Sequence, residues 1–303
     1  MLDRRQLLTG LLGGLAAGAA WPRAARAQQA GVAALTDRLS LVTAARSNVL
    51  ALATPGSLVV VDSGAPELTG PLTAALGPLA GRAITVFNTH FHPENTGGNE
   101  MLRQAGAAIV AHENTRLWMA TPTWLPAEDR YRQPRPKDAQ PTRTFYTEGS
   151  MQAGGERVEY GYLIEGHTSG DIYVFFRDSN VLAVGDLASP ARDPELDYLT
   201  GAWIGGRADA LARLVSLANA DTKIVPGFGP VMTRPQLQAE HELMKTIYDR
   251  TVDRVREGDS AEDMLDGGVL KGLARTFSDP HRFLHDVQKG LWAHHNKLSP
   301  NVV

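Results

Sequence analysis

Two histidines stand two residues apart where an apolar, strand-like run leads into a polar loop. Residues 86–99 read Val-Phe-Asn-Thr-His-Phe-His-Pro-Glu-Asn-Thr-Gly-Gly-Asn. Side chains two apart on an extended chain point to the same side, so His90 and His92 can bind one metal ion together. A glycine pair opens the helix that follows, and a third histidine, His167, stands downstream. This pattern favours a metal site over two unrelated surface histidines.

Three further motifs join this segment, and the whole set resembles the metallo-β-lactamase superfamily. The signature of that family is Thr-His-x-His-x-Asp-His-x-Gly-Gly on the loop after a strand. The other motifs, in the order that the family has, are Asp62-Ser63-Gly64, Gly166-His167-Thr168-Ser169-Gly170 and Gly185-Asp186. The resemblance covers residues 45 to about 230.

The resemblance implies a complete first metal site at His90, His92 and His167. In this family the two signature histidines and the histidine of Gly-His-Thr bind the first ion. We expect one Zn²⁺ per chain, with water in the open position and Asp186 beside it. Three neutral imidazoles leave the full charge on the ion, so the pKa of bound water falls to about 7 and a metal-bound hydroxide is available at neutral pH.

The second metal site of the family is degenerate in this sequence. The family uses the signature Asp and the following His, a late His in a Pro-Gly-His-Gly turn, and a shared aspartate. The corresponding positions are Glu94, Asn95, Phe228 and Asp186. Two imidazoles are missing, and the remaining carboxylates are too few for the sites that zinc prefers. The sequence therefore predicts a mononuclear centre, with Asn95 and Phe228 lining the vacated pocket.

Two carboxylates, Glu94 and Asp186, are the candidate catalytic groups. Glu94 takes the place of the family's Asp beside the nucleophilic water. Its longer side chain can reach that water as a general base, or bind the ion directly. The sequence is equally consistent with a role of Glu94 in orienting a histidine or the loop.

The leading hypothesis is a zinc-dependent metallo-hydrolase that attacks an activated carbonyl in a small-molecule substrate, namely an ester, lactone, thioester or lactam. One alternative is a mononuclear Fe²⁺ oxygenase of the persulfide-dioxygenase type, whose two-histidine, one-aspartate site corresponds to His90, His167 and Asp186. Another is a catalytically degenerate metal-binding or scaffolding protein. Metal analysis separates zinc from iron, and turnover separates an enzyme from a scaffold.

Aromatic side chains occur in loops that surround the metal in this architecture. They are Trp118 and Trp124 beside the proline-rich segment 121–142, and Tyr198 and Trp203 after Asp186. They can form an apolar substrate wall, and a role as loop anchors has equal weight. His112 follows a strand pattern and is expected at a helix start rather than at the metal.

The order of the elements predicts the fold that must position these residues. Strands are predicted at 47–53, 57–62, 83–87, 107–110, 160–165, 171–176 and 180–184, and helices at 67–79, 97–104, 207–218 and 235–257. Two β-rich halves, each followed by helices, predict an α/β (α+β) fold: an αββα sandwich of two mixed β-sheets flanked by helices. Segment 121–142 is expected to be an irregular surface excursion.

Residues 1–27 are expected to be a cleaved export signal. Arg4 and Arg5 precede an uncharged Ala/Gly/Leu-rich stretch, and Ala25-Arg26-Ala27 provides a small-x-small cleavage site. The arginine pair resembles twin-arginine signals. We therefore expect passage through the twin-arginine export machinery, a periplasmic location, a metallo-β-lactamase-fold domain over 28–235 and a C-terminal helical extension over 236–303.

Composition narrows the classes of function. The 303 residues carry 30 Lys and Arg against 33 Asp and Glu, a net charge of -3, so binding to nucleic acid is not expected. The chain has no cysteine, which excludes disulfides and cysteine-containing zinc sites. Beyond the signal no apolar run approaches the length of a membrane span, so no membrane contact is expected after cleavage.

Overall fold

A computed structural model describes residues 31–125 and 129–298, in which two β-sheets lie between layers of helices. The signal expected over 1–27 lies outside the described residues. The strands are β1 (Val32–Ala34), β2 (Leu39–Ala45), β3 (Ser47–Ala53), β4 (Ser57–Val61), β5 (Ala83–Phe87), β6 (Ala108–His112), β7 (Thr123–Leu125), β8 (Arg130–Arg132), β9 (Arg143–Phe145), β10 (Glu148–Ala153), β11 (Glu156–Tyr162), β12 (Ile172–Phe176), β13 (Val181–Gly185) and β14 (Lys223–Pro226). The helices are α1 (Thr69–Leu76), α2 (Pro93–Thr96), α3 (Asn99–Gln104), α4 (Glu113–Ala120), α5 (Ile204–Leu217), α6 (Arg234–Glu257), α7 (Ala261–Asp266) and α8 (Pro280–Leu298).

Both large sheets are mixed. The first has seven strands in the order β1-β2-β3-β4-β5-β6-β9, antiparallel up to β4 and parallel from there to β9. The second has five strands in the order β10-β11-β12-β13-β14, and its last pair is parallel. Parallel neighbours end at the same sheet edge. The loops after β4 and β5 are therefore adjacent, and so are the loops after β13 and β14. The Gly-His-Thr motif lies in the loop between the antiparallel strands β11 and β12.

Alternating side chains of the central strands enter different layers of the core. In β4, Val59 and Val61 belong to the cluster between the two sheets, whereas Leu58 and Val60 pack with α1 and α3. Such strands are buried on both faces, which explains their uninterrupted apolar sequence. Each fully buried aliphatic side chain contributes about 1.5–3 kcal/mol. A third cluster joins the second sheet to α5, α6 and α8, and the predicted αββα sandwich of mixed sheets is confirmed.

The C-terminal helices share the core of the second sheet. Helix α6 begins with a capping box between Thr233 and Gln236, and it ends at Gly258, whose φ of 98° is left-handed. Met244 and Ile247 of α6 lie in the same apolar cluster as Leu182 of β13. The segment after residue 235 is therefore packed onto the sandwich. In the described part of the chain, no helix combines the length and apolar character of a membrane span.

The predicted and observed elements differ mainly where sequence patterns are weak. The strand predicted at 83–87 is β5, and helix α6 begins one residue before the predicted start. Strand β2 was not predicted, and helix α8 lies within the helical extension expected over 236–303. Part of the proline-rich segment forms the short antiparallel pair β7–β8, between which residues 126–128 are not described.

Candidate metal centre

The two signature histidines lie in the loop between β5 and α2, and a glycine pair seats this loop against its neighbour. The Gly97 N–H donates to Gly64 O at 2.7 Å, and the Gly98 N–H donates to Ser63 O at 3.1 Å. A Cβ atom on Gly97 would lie 2.2 Å from the backbone nitrogen of Pro66. The glycines are therefore required because the backbone of residues 63–66 passes too close for a side chain.

A hydrogen-bonded chain orients the first histidine. Asp62 accepts from the Thr89 N–H and hydroxyl, both at 2.8 Å, and from Asn95 Nδ2 at 3.0 Å. Because the Thr89 hydroxyl donates to Asp62, its oxygen accepts from Nδ1 of His90, 3.0 Å away. Burial raises the pKa of Asp62 to about 7, although these three donors oppose the shift. The free nitrogen of His90 is therefore Nε2.

The other two histidines are oriented in the same manner. Nδ1 of His167 donates to the carbonyl oxygen of Glu195 at 2.9 Å, and Nε2 of His92 donates to Asp197 Oδ2 at 3.1 Å. Asp171 holds the Gly-His-Thr turn, since its carboxylate accepts from the N–H groups of His167 and Thr168 at 2.6–3.0 Å. Such partners fix which nitrogen each ring presents to a metal. His167 presents Nε2 and His92 presents Nδ1.

The three presented nitrogens converge on one point. One ligand atom from each histidine lies within 4.8 Å of those of the other two. The ring centroids are 4.7–4.8 Å apart and the rings are nearly perpendicular to one another. His92 Nδ1 and His167 Nε2 are 3.1 Å apart, close to the roughly 3.3 Å expected for two nitrogens bound tetrahedrally at 2.0–2.1 Å from one zinc ion.

The protonation states and the burial of the three histidines are also consistent with a cation bound between them. Burial lowers the pKa of His90 and His167 well below the usual value, and neighbouring imidazoles lower it further, so both rings are neutral at pH 7. The buried Nε2 of His90 has no hydrogen-bond partner among the described residues. Burial also lowers the pKa of His92, but the hydrogen bond and charge of Asp197 outweigh it and the net shift is upward. Two lone pairs 3.1 Å apart repel each other unless a shared cation lies between them.

Asp186 lies beside the three histidines but is engaged by an arginine. Its Oδ2 is 3.7 Å from His167 Nε2 and 4.0 Å from His90 Nε2. The same oxygen accepts a hydrogen bond from Arg192, six residues further along the chain. Burial raises the pKa of Asp186 to about 6, with Arg192 opposing the shift. The ligand atoms that converge are therefore those of the three imidazoles, with Asp186 at their edge.

The remaining residues of the degenerate second site have distinct surroundings. Glu94 is half-buried in the first turn of α2, and its charge raises the pKa of both His92 and Asp186, which places it near the cluster. Asn95 is fully buried and bound to Asp62. The ring of Phe228 lies under the Arg192 guanidinium, whose carbon is 3.7 Å from the ring centroid.

Of the predicted rim aromatics, Trp118 lies beside the metal centre, and Trp124 lies in the β7–β8 pair. The indole N–H of Trp118 donates to Ser169 Oγ at 2.8 Å, and its ring is 6.1 Å from that of Phe91. Trp118 therefore contacts both metal-binding loops. Trp124 is 43% exposed and its ring lies 5.0 Å from that of Tyr131 in the β7–β8 pair, where it is accessible to a ligand.

The other two aromatics contact the C-terminal helices. The ring of Tyr198 is 5.8 Å from His285, and Trp203 stacks on His294 at 3.6 Å. Trp203 thus anchors the start of α5 against α8. His112 caps α4, as predicted, by accepting from the Asn114 N–H at 3.2 Å.

Three groups that orient the histidines or pair with Asp186 were not predicted from the sequence: Asp197, Arg192 and the carbonyl of Glu195. All three lie in the irregular loop 186–197 between β13 and α5. The acidic composition of residues 193–197 was the only available signal, and it did not identify which histidine each group would face. Their roles depend on packing across the two sheets.

Comparison with known proteins identifies the family. The family model described as the metallo-beta-lactamase superfamily matches residues 42–229. A "Metallo-beta-lactamase type 2" of Bacillus cereus is 28% identical over 201 residues, which cover 66% of this chain and 73% of the relative. A hydroxyacylglutathione hydrolase of Rhodospirillum rubrum is 30% identical over 132 residues, 43% of each chain.

Solved structures agree at the level of the fold. A metallo-beta-lactamase from Pontibacter korlensis superposes with a TM-score of 0.57 at 21% identity, over 71% of this chain and 98% of that one. The DIM-1 metallo-beta-lactamase gives a TM-score of 0.56 at 19% identity, over 71% and 96%. The family match extends over the strands that carry all four motifs, and the chain belongs to the metallo-β-lactamase superfamily.

Proposed function

We propose that this protein is a zinc-dependent hydrolase with one metal ion per chain, acting on an activated carbonyl of a small molecule: an ester, lactone, thioester or lactam. The observation that carries the proposal is the convergence of His90 Nε2, His92 Nδ1 and His167 Nε2, each on a ring whose other nitrogen is hydrogen-bonded. Relatives named as hydrolases support the reaction class. When bound, zinc would supply Lewis acidity toward a carbonyl oxygen and water.

The surrounding residues have two further roles: they keep the histidines able to bind the ion, and they supply a proton acceptor. The low pKa of His90 and His167 keeps both rings unprotonated and able to bind the ion at neutral pH. Glu94 is the more accessible of the two candidate carboxylates, and we assign it the role of accepting a proton. One oxygen of Asp186 already accepts from Arg192, and the other is buried against Gly227, where an added Cβ would lie 1.9 Å from it.

The iron oxygenase is the weaker alternative. It needs Asp186 as a ligand together with His90 and His167, and leaves His92 outside the ligand set. The 3.1 Å approach of His92 to His167 and the bond between Asp186 and Arg192 favour three nitrogen ligands. A scaffolding role would leave metal bound without turnover.

Metal content per chain tests the proposal directly. Protein purified without added metal should hold one equivalent of zinc, and His167→Ala should lose most of it. His281→Ala, an exposed histidine in α8, is the matched control and should keep the metal. Wild-type protein should hydrolyse at least one substrate in an ester, lactone, thioester and lactam panel. Iron with oxygen consumption, or full metal in His167→Ala, would contradict the assignment.

We also propose export to the periplasm, on the sequence of residues 1–27 alone. Fractionation of cells and N-terminal sequencing of the accumulated protein test this proposal. Replacing Arg4 and Arg5 by lysine should retain the unprocessed chain in the cytoplasm. A processed chain in the periplasm of that variant would argue against the twin-arginine route.

A further inference from the structure

We propose that the guanidinium of Arg192 occupies the place of a second metal ion beside Asp186 and thereby restricts the centre to one ion. This inference rests on the proposed function, because it assumes that the three histidines bind a metal. It assigns a role to a residue outside the four motifs. It also explains which group balances the negative charge of the buried Asp186 carboxylate next to the three histidines.

The first argument is the position of the positive charge. Arg192 donates to Oδ2 of Asp186, the same oxygen that lies 3.7 Å and 4.0 Å from the presented nitrogens of His167 and His90. Asp186 has only 1% of its side chain exposed, and Arg192 has 33%. A buried carboxylate requires a cation or several donors. Arg192 meets this need without a metal.

The second argument is the residue beneath the guanidinium. Phe228 offers no ligand atom, but its ring lies 3.7 Å from the guanidinium carbon, a cation–π contact. The turn that carries Phe228 is fixed, because Asn48 Nδ2 donates to Pro226 O and Gly229 O, both at 2.9 Å. The guanidinium is therefore held between a carboxylate and an aromatic face.

The third argument is the anchoring of the loop that carries Arg192. Arg275, beyond α7, donates to the carbonyl oxygens of Ser189 and Arg192. Asp193 accepts from the N–H groups of Ser278 and Asp279 at 2.8–3.0 Å. These contacts fix the position of the backbone on both sides of Arg192. A divalent ion at Asp186 would have to displace an anchored cation and would be repelled by it.

Zinc binding to metal-stripped full-length protein tests the inference, with affinity measured by chelator competition and stoichiometry by mass spectrometry. Arg192→Ala should bind its first zinc ion about 10- to 100-fold more tightly, the size of change produced at partners of metal ligands, because repulsion is removed and Asp186 is freed. Arg192→Lys, which keeps a positive charge beside Asp186, should bind zinc less tightly than Arg192→Ala. Unchanged or weaker binding by Arg192→Ala would overturn the inference.

A second arm tests the exclusion of another ion. Phe228→His restores an imidazole at the vacated site and should still bind one zinc ion per chain. The double variant Phe228→His with Arg192→Ala should bind two. A second ion in Phe228→His alone, or one ion in the double variant, would refute the role of Arg192.

The control for lost charge is Arg256→Ala. This guanidinium is exposed on α6, where it pairs with Asp253, so its removal should leave the affinity unchanged. If wild-type protein binds no zinc, the proposed function itself fails. If zinc binds and is lost in His167→Ala but Arg192→Ala has no effect, only the present inference fails.

Discussion

Replacing Asp197 by asparagine should weaken zinc binding at high pH and alter how that binding depends on pH. Asp197 Oδ2 accepts from His92 Nε2 at 3.1 Å, and the two side chains are only 17% and 11% exposed. The carboxylate makes the opposite nitrogen of the ring a better donor to a metal. Asparagine keeps the size and a hydrogen-bond acceptor but removes the charge.

The size of the effect follows from the role of the carboxylate. Loss of a carboxylate partner of a metal-binding histidine costs about 10- to 100-fold in affinity, which is about 1.4–2.8 kcal/mol. We expect this loss to be largest at high pH, where protons compete least with the metal for His92. Because the hydrogen-bond geometry is retained, the fold of the variant should be unchanged.

The pH dependence has a definite sign. Asp197 raises the pKa of His92 in the folded protein, and a proton on His92 competes with the metal. Below that pKa the dissociation constant should rise by about tenfold per pH unit, since one proton is displaced. His90 and His167, whose pKa values are lowered, do not add to this slope near neutrality. In Asp197→Asn the competition begins at lower pH, so the difference from wild type should shrink as the pH falls.

Chelator competition at pH 8, 7 and 6 measures both effects. Asp253→Asn is the control, because Asp253 is an exposed carboxylate of α6 that pairs with Arg256 and with none of the three histidines. It should follow the wild-type curve. Equal affinities of Asp197→Asn and wild type at pH 8, or a ratio that stays constant down to pH 6, would refute the reasoning.

Two stability predictions follow from close contacts described above. Gly97→Ala should lower the free energy of unfolding by about 1–3 kcal/mol through overpacking. Gly70→Ala, in α1 with open space around the added Cβ, should raise the free energy of unfolding by about 0.4–1 kcal/mol. Urea unfolding measures both changes, and equal effects of the two substitutions would contradict the packing around the two glycines. Arg207→Met should destabilise the fold by about 3 kcal/mol, because this fully buried side chain donates to the carbonyl oxygens of Glu195 and Asp186. It should also weaken zinc binding, and a variant of wild-type stability would contradict this role.

Sequence patterns predicted the parts of the fold that are encoded locally. Ala83–Phe87 is buried on both faces and reads as one apolar run, so its bounds were predictable. Strand β2 was missed although most of its residues are buried, because its sequence Leu-Ser-Leu-Val-Thr-Ala-Ala mixes polar and small residues. Helix α8 was expected only as part of a helical extension over 236–303, and its bounds depend on packing against α6 and α5.

The metal centre likewise contains some residues that the local sequence identifies and others that it does not. His90, His92 and His167 could be chosen because each stands in a motif with a characteristic spacing. Asp197 and Arg192 stand in irregular backbone, and their partners are 105 and 6 residues away in the chain. His92 and Asp197 meet across the two sheets, and the pairing of Arg192 with Asp186 depends on the path of an irregular loop, so the local sequence indicates neither pair.

The anchoring of residues 189–193 by Arg275, Ser278 and Asp279 has a consequence for biosynthesis. The loop beside the histidines gains these contacts only when a segment about 85 positions later has left the ribosome. Strands and imidazoles can assemble earlier, but the setting of Arg192 and Asp193 is completed among the last events of synthesis. A chain ended after α7 would therefore retain all three histidines and still lack the restraints that shape the rim of their pocket.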